Sequence, residues 1–129
     1  NRFEMAHRGS GVAIIGVGNF FALAVTAAEQ LKQSGIDATV VNPRFLTGLD
    51  TERLEGLRDN HSLVVTLEDG VLDGGYGEKI ARYYGESEMR VMCRGVRKEF
   101  IDRYNVSEEY AANRLTPDQI TADILEILN

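Results

Sequence analysis

Residues 38–41, A-T-V-V, are a short apolar run rich in β-branched side chains, and Pro43 stops it two positions later. A run with no polar alternation has the composition of a strand covered on both faces, as in a parallel sheet. Proline has no N–H and cannot continue the ladder. The strand must therefore give way near Asn42 to the turn N-P-R-F-L-T-G-L-D, which sets Arg44 just past the strand's carboxyl end. Asp50 closes that turn before T-E-R-L-E-G-L, where its carboxylate can accept the first free N–H groups of a helix. In an open α/β sheet this edge is where ligands bind.

Three further runs read as strands: residues 11–17 (G-V-A-I-I-G-V), 62–67 (S-L-V-V-T-L) and 89–93 (M-R-V-M-C). A helix is predicted over 20–33, with Asn19 as its N-cap and Phe20, Phe21, Leu23, Ala24, Ala27, Ala28 and Leu31 on its apolar side. Shorter helices follow at 51–58 and 75–84. The last helix has the clearest start: Thr116 as N-cap, Pro117 at the first helical position, Gln119 completing a capping box, and Leu115 with Ile120 as a hydrophobic staple. Strands and helices alternating over short connections give a largely parallel, doubly wound sheet, because parallel neighbours need crossovers. The carboxyl ends of the strands then gather Asn19, residues 42–44, Glu68, Asp69 and Arg94 along one edge.

At 129 residues the chain is long enough to bury a core without disulfides or metal. A net charge of -6 opposes nucleic-acid binding, which needs a basic stripe, and Arg94, Arg97 and Lys98 are offset by Glu99 and Asp102. Cys93 is the only cysteine and reads as a strand residue, not a nucleophile. His7 and His61 are far apart with no ligand spacing around them, so a metal site has no support, and His61, after Asp59 and Asn60, reads as a solvated loop residue. No apolar run approaches the length of a membrane span, and a soluble chain is expected. The opening N-R-F-E-M-A-H-R-G-S lacks an initiator methionine and reads as part of a longer protein.

The G-V-G at residues 16–18 lacks the third glycine, which would fall at Phe21, and the acidic ribose partner, which would fall near Asn42. Nicotinamide or flavin binding is rejected in favour of glycines that ease a strand-to-helix turn. D-G-G-Y-G at residues 73–77 could present backbone N–H groups to an anion but has no P-loop lysine or hydroxyl, and close packing against another surface is the better reading. Glu68 and Asp69 could form an acid/base pair; a carboxylate capping the following helix is the simpler assignment. For Arg44, a surface or interdomain ion pair and an anion contact stand level on the residues alone.

Together, V-A-I-I-G-V-G-N, G-I-D-A-T-V-V-N-P-R-F-L-T-G-L-D, V-V-T-L-E-D-G and G-G-Y-G resemble the C-terminal domain of transketolase-family enzymes, most of all the 1-deoxy-D-xylulose-5-phosphate synthases. The resemblance implies a three-layer α/β/α domain with a mostly parallel mixed sheet over residues 11–129, residues 1–10 being a remnant of an interdomain linker. It implies a cytoplasmic, homodimeric, thiamin-diphosphate-dependent parent whose preceding domains hold the cofactor, its Mg2+ and the catalytic groups, none of which falls to this domain. Arg44 would bind the phosphate of a small-molecule substrate, and Gly74, Gly75 and Gly77 would lie at an interface with the partner or a neighbouring domain. Thr47 and Gly48 stand where lysine and proline are usual in the synthases. This keeps open a paralogue, a transketolase, or the β subunit of a 2-oxo-acid dehydrogenase, with a free-standing interaction or regulatory module as the reading from another class.

Overall fold

The computed structural model describes residues 2–44, 48–68, 75–95 and 111–129. Five strands form one sheet: β1 (Glu4–His7), β2 (Gly11–Gly16), β3 (Thr39–Asn42), β4 (His61–Glu68) and β5 (Arg90–Gly95), in the order β1-β3-β2-β4-β5. The β2–β3, β2–β4 and β4–β5 pairs are parallel, and β1 lies antiparallel to β3. Among the described residues four helices cover it: α1 (Phe21–Gln33), α2 (Thr51–Leu57), α3 (Tyr76–Tyr84) and α4 (Pro117–Leu128).

Successive residues of a strand point to opposite faces, so a strand buried on both sides feeds two cores. Val12 and Ile14 of β2 join Leu63, Val65 and Leu67 of β4 in the core beneath α1 and α4, where Ala24, Ala27, Leu31, Ile120 and Ile124 pack. Ala13, Ile15 and Val64 join Leu54 and Leu57 of α2 and Ile80 and Tyr84 of α3 on the other face. The three-layer, mostly parallel mixed sheet is therefore as expected.

Three expectations need correction. Residues 1–10 are not simply linker: Glu4–His7 pairs with β3, with Glu4 opposite Asn42, and Phe3 is 4% exposed in the core beneath α2 and α3. An edge strand needs an apolar face on one side only, and E-M-A-H has too little apolar content to announce itself. Asn19 does not cap α1. It sits inside a 3-10 turn, Gly18–Phe20, closed by the Phe20 N–H on the Val17 carbonyl at 3.0 Å, and Phe20 leads into the helix. The G-V-G glycines do serve this turn, Gly18 with φ at 57°.

His61 is no solvated loop residue but the first residue of β4, half-buried. Its Nδ1 is 3.0 Å from the Leu57 carbonyl and its Nε2 is 2.7 Å from Thr39 Oγ1, which also accepts the Gly9 N–H at 2.8 Å. These distances fit one tautomer, with Nδ1 donating to the carbonyl and the Thr39 hydroxyl donating to Nε2.

Candidate functional site

β3 ends at Asn42, and buried Pro43 follows. The Asn42 side chain then accepts the Arg44 N–H at 3.1 Å, as in an Asx turn. Arg44 has φ at 64°, a left-handed conformation that a large side chain seldom takes unless its surroundings impose it. Its side chain is exposed, and among the described residues its guanidinium makes no hydrogen bond or ion pair. An interdomain ion pair would need a partner outside this chain's described residues; five unengaged N–H donors in a planar fork suit an anion, above all a phosphate.

At the far end of the turn Asp50 is 8% exposed, and both its oxygens accept backbone donors. Oδ1 takes the Arg53 N–H at 3.1 Å, the cap expected for α2, and Oδ2 takes the Phe3 N–H at 2.9 Å. Phe3, in the segment expected to be linker, carries no local sequence signal for this role. Its ring lies 6.5 Å from that of Tyr76, the first residue of α3. The Tyr76 hydroxyl is buried with no hydrogen-bond partner among the described residues, and burial first, then the nearby charge of Asp50, pushes its pKa well above the usual phenol value.

Glu68, at the end of β4, is 5% exposed and caps α3, as the simpler assignment held: Oε1 accepts the Tyr76 N–H at 2.9 Å and Oε2 the Gly77 N–H at 2.5 Å. Two of the amides that D-G-G-Y-G could have offered an external anion, those of Tyr76 and Gly77, are thus taken by the protein's own carboxylate. Asp69 and Gly74 lie outside the described residues. Gly75 is the N-cap of α3 with extended backbone. Gly77 is buried against its own sheet: a Cβ there would lie 3.0 Å from both Cys93 Sγ and Glu68 Oε2 and collide with Thr66 Oγ1. Cys93 is half-buried, and burial raises its thiol pKa, the opposite of what a nucleophile needs.

Arg94, at the end of β5, is drawn away from the edge. Its Nη2 lies 3.3 Å from Asp123 Oδ2, while Arg114 grips the same carboxylate through Nη2 at 2.7 Å and Nε at 3.2 Å. The hydrogen bond from Arg114, ahead of the contribution of Arg94, holds Asp123 below the usual carboxylate range. This cluster ties β5 to α4. Of the charged groups predicted along the carboxyl edge, Arg44 is thus the described cation left open to solvent. Among the described residues no group of three His, Cys, Asp or Glu side chains could hold a metal ion, and Glu68 and Asp50 each accept two backbone amides.

A mixed α/β/α sheet that the chain enters at the ligand edge, with an arginine turn after β3 and a glycine-rich start to α3, is a known class of domain. The model of the transketolase C-terminal domain matches residues 2–120, and the chain belongs to that family. Its relatives include proteins named 1-deoxy-D-xylulose-5-phosphate synthase. The one from Rippkaea orientalis is 36% identical over 126 residues, covering 96% of this chain and 20% of that protein; the one from Shouchella clausii is 30% identical over 129 residues, covering 98% and 20%. A solved structure described as a split gene transketolase, inactive beta4 tetramer, superposes with a TM-score of 0.88 at 28% identity, over 98% of this chain and 42% of that one. The chain spans about 20% of the length of these curated relatives.

Proposed function

We propose that this chain is the C-terminal domain of a thiamin-diphosphate-dependent transferase of the 1-deoxy-D-xylulose-5-phosphate synthase type. Such an enzyme joins the two-carbon unit of pyruvate to the aldehyde carbon of glyceraldehyde 3-phosphate and releases carbon dioxide. The observation that carries the reading is similarity over nearly the whole chain to proteins of that name. The cofactor and its Mg2+ belong to the preceding domains of the parent; the buried carboxylates of this chain, Asp50 and Glu68, are engaged by backbone amides. The parent is a cytoplasmic homodimer, and Gly74 and Gly75 mark where chain approaches chain.

The domain's own contribution to the reaction is Arg44 as anchor for the acceptor's phosphate. Its exposure, unengaged guanidinium and place past β3 support that role. In full-length protein, Arg44→Ala should lower kcat/KM for glyceraldehyde 3-phosphate at least about tenfold, because a charge-assisted contact contributes about 2 kcal/mol. Pyruvate kinetics should change little, as the donor reacts at the cofactor. Steady-state kinetics with each substrate varied is the measurement; an equal loss with an unphosphorylated aldehyde would make Arg44 a structural residue instead.

A further inference from the structure

Pro43 leaves the backbone few ways to pass from β3 to Arg44. Its ring fixes its own φ and keeps the residue before it extended, and Asn42 accordingly ends β3 in ladder register, opposite Glu4 of β1. Pro43 itself is buried. With both neighbours held, the direction of the Arg44 side chain turns on the Arg44 torsions, and one contact bears on them directly: Asn42 Oδ1 accepts the Arg44 N–H at 3.1 Å. Arg44 stands at φ 64°, in a region that a residue with a Cβ enters at a cost and keeps only when something holds it there. A side-chain oxygen that bonds the amide two residues on closes the ring a backbone carbonyl would close in a turn, so the Asn42 amide group is a suitable holder. Moving Arg44 from the left-handed to the extended region would swing its Cα–Cβ bond and carry the guanidinium elsewhere. Among the described residues that guanidinium has no hydrogen bond or ion pair of its own to resist the change.

We propose that Asn42 is a positioning residue for Arg44: its side-chain carbonyl holds the Arg44 amide and with it the left-handed backbone that aims the guanidinium at the substrate phosphate. A residue whose backbone already has its binding conformation loses less freedom when the phosphate arrives, so Asn42 acts on acceptor affinity and not on chemistry at the donor. The inference rests on the reading of Arg44 as the phosphate anchor.

Two variants of the full-length enzyme test it. Asn42→Ala removes the acceptor. Asn42→Ser keeps a shorter one, a hydroxyl that closes the same turn more weakly, and stands in should the first fail to fold. Asn42→Ala should raise KM for glyceraldehyde 3-phosphate about fivefold, with kcat and the KM for pyruvate within about twofold; Asn42→Ser should raise it about twofold, between wild type and alanine. Neither should add to the effect of Arg44→Ala in the double variant, because once the guanidinium is gone there is nothing left to aim. Full additivity with Arg44→Ala, a serine variant as impaired as alanine, or a lowered melting temperature with unchanged acceptor KM overturns the positioning role and leaves Asn42 a turn residue of the fold. If Arg44→Ala alone leaves acceptor kinetics untouched, the phosphate-anchor reading is what has failed, and the role of Asn42 falls with it.

Discussion

Gly77 shows how little room the edge beneath α3 allows. Its amide is taken by Glu68 and its Cα faces Thr66 and Cys93, so the first turn of α3 lies directly on β4 and β5. Gly77→Ala should cost about 1–3 kcal/mol, the usual range for overpacking a tight contact, read as a lower urea midpoint at unchanged slope. Thr66→Ala in the same chain should recover part of the loss, since it removes the nearest atom; no recovery would place the strain at Cys93 or Glu68. His61 carries a different sensitivity. Burial holds its pKa below 6.5, against the opposing pull of the Leu57 carbonyl, so the fold keeps the imidazole neutral while the unfolded chain takes up a proton more readily. Its contribution is present in full above pH 6.5 and is lost as pH falls through that value towards the folded pKa. Stability followed by urea titration should therefore decline between about pH 7 and 5, and His61→Gln should flatten that limb. Asp123, held low by Arg114, adds a separate loss at more acid pH, where its carboxylate takes up a proton.

Elements whose signals are local were legible in the sequence. Asp50 caps α2 as read, and Thr116, Pro117 and Gln119 form the expected capping box at the start of α4, with Leu115 and Ile120 both buried beneath it. The covered strands β2, β3 and β4 follow from their apolar runs, because a strand buried on both faces leaves no alternation to mislead. Elements that depend on a distant partner were not legible. β1 exists because β3 offers it an edge and Asp50 offers it an acceptor 47 residues away, neither of which is written in E-M-A-H. α1 begins through a 3-10 turn and so bypasses Asn19. The role of β1 gives a sharp expectation: a chain starting at Gly11 loses the edge ladder, the burial of Phe3 and the donor for Asp50 Oδ2. It should be less stable than the 129-residue chain by at least about 3 kcal/mol, the cost of emptying a buried phenylalanine site. Equal urea midpoints for the two would restore residues 1–10 to a linker.

At the scale of the whole molecule, the candidate site was half legible. Arg44 could be placed because Pro43 fixes where β3 must end, whereas the bond from the Phe3 amide to Asp50 arises only when the sheet closes. The same closure engages groups that a cofactor could otherwise use. Magnesium needs oxygen ligands free to coordinate it and a diphosphate needs cationic or amide donors. Here the carboxylates of Asp50 and Glu68 already accept two amides each, the first amides of α3 are consumed, and Arg94 and Arg114 converge on Asp123. Taking up the cofactor at these groups would mean breaking charge-assisted hydrogen bonds, each among the stronger contacts in the fold. The 129-residue chain should therefore fold cooperatively and give no binding heat when titrated with thiamin diphosphate and Mg2+ in a calorimeter. The full-length parent should bind both under the same conditions. Micromolar binding by this chain alone would mean that the domain carries a cofactor site of its own, and would overturn the division of labour proposed for the enzyme.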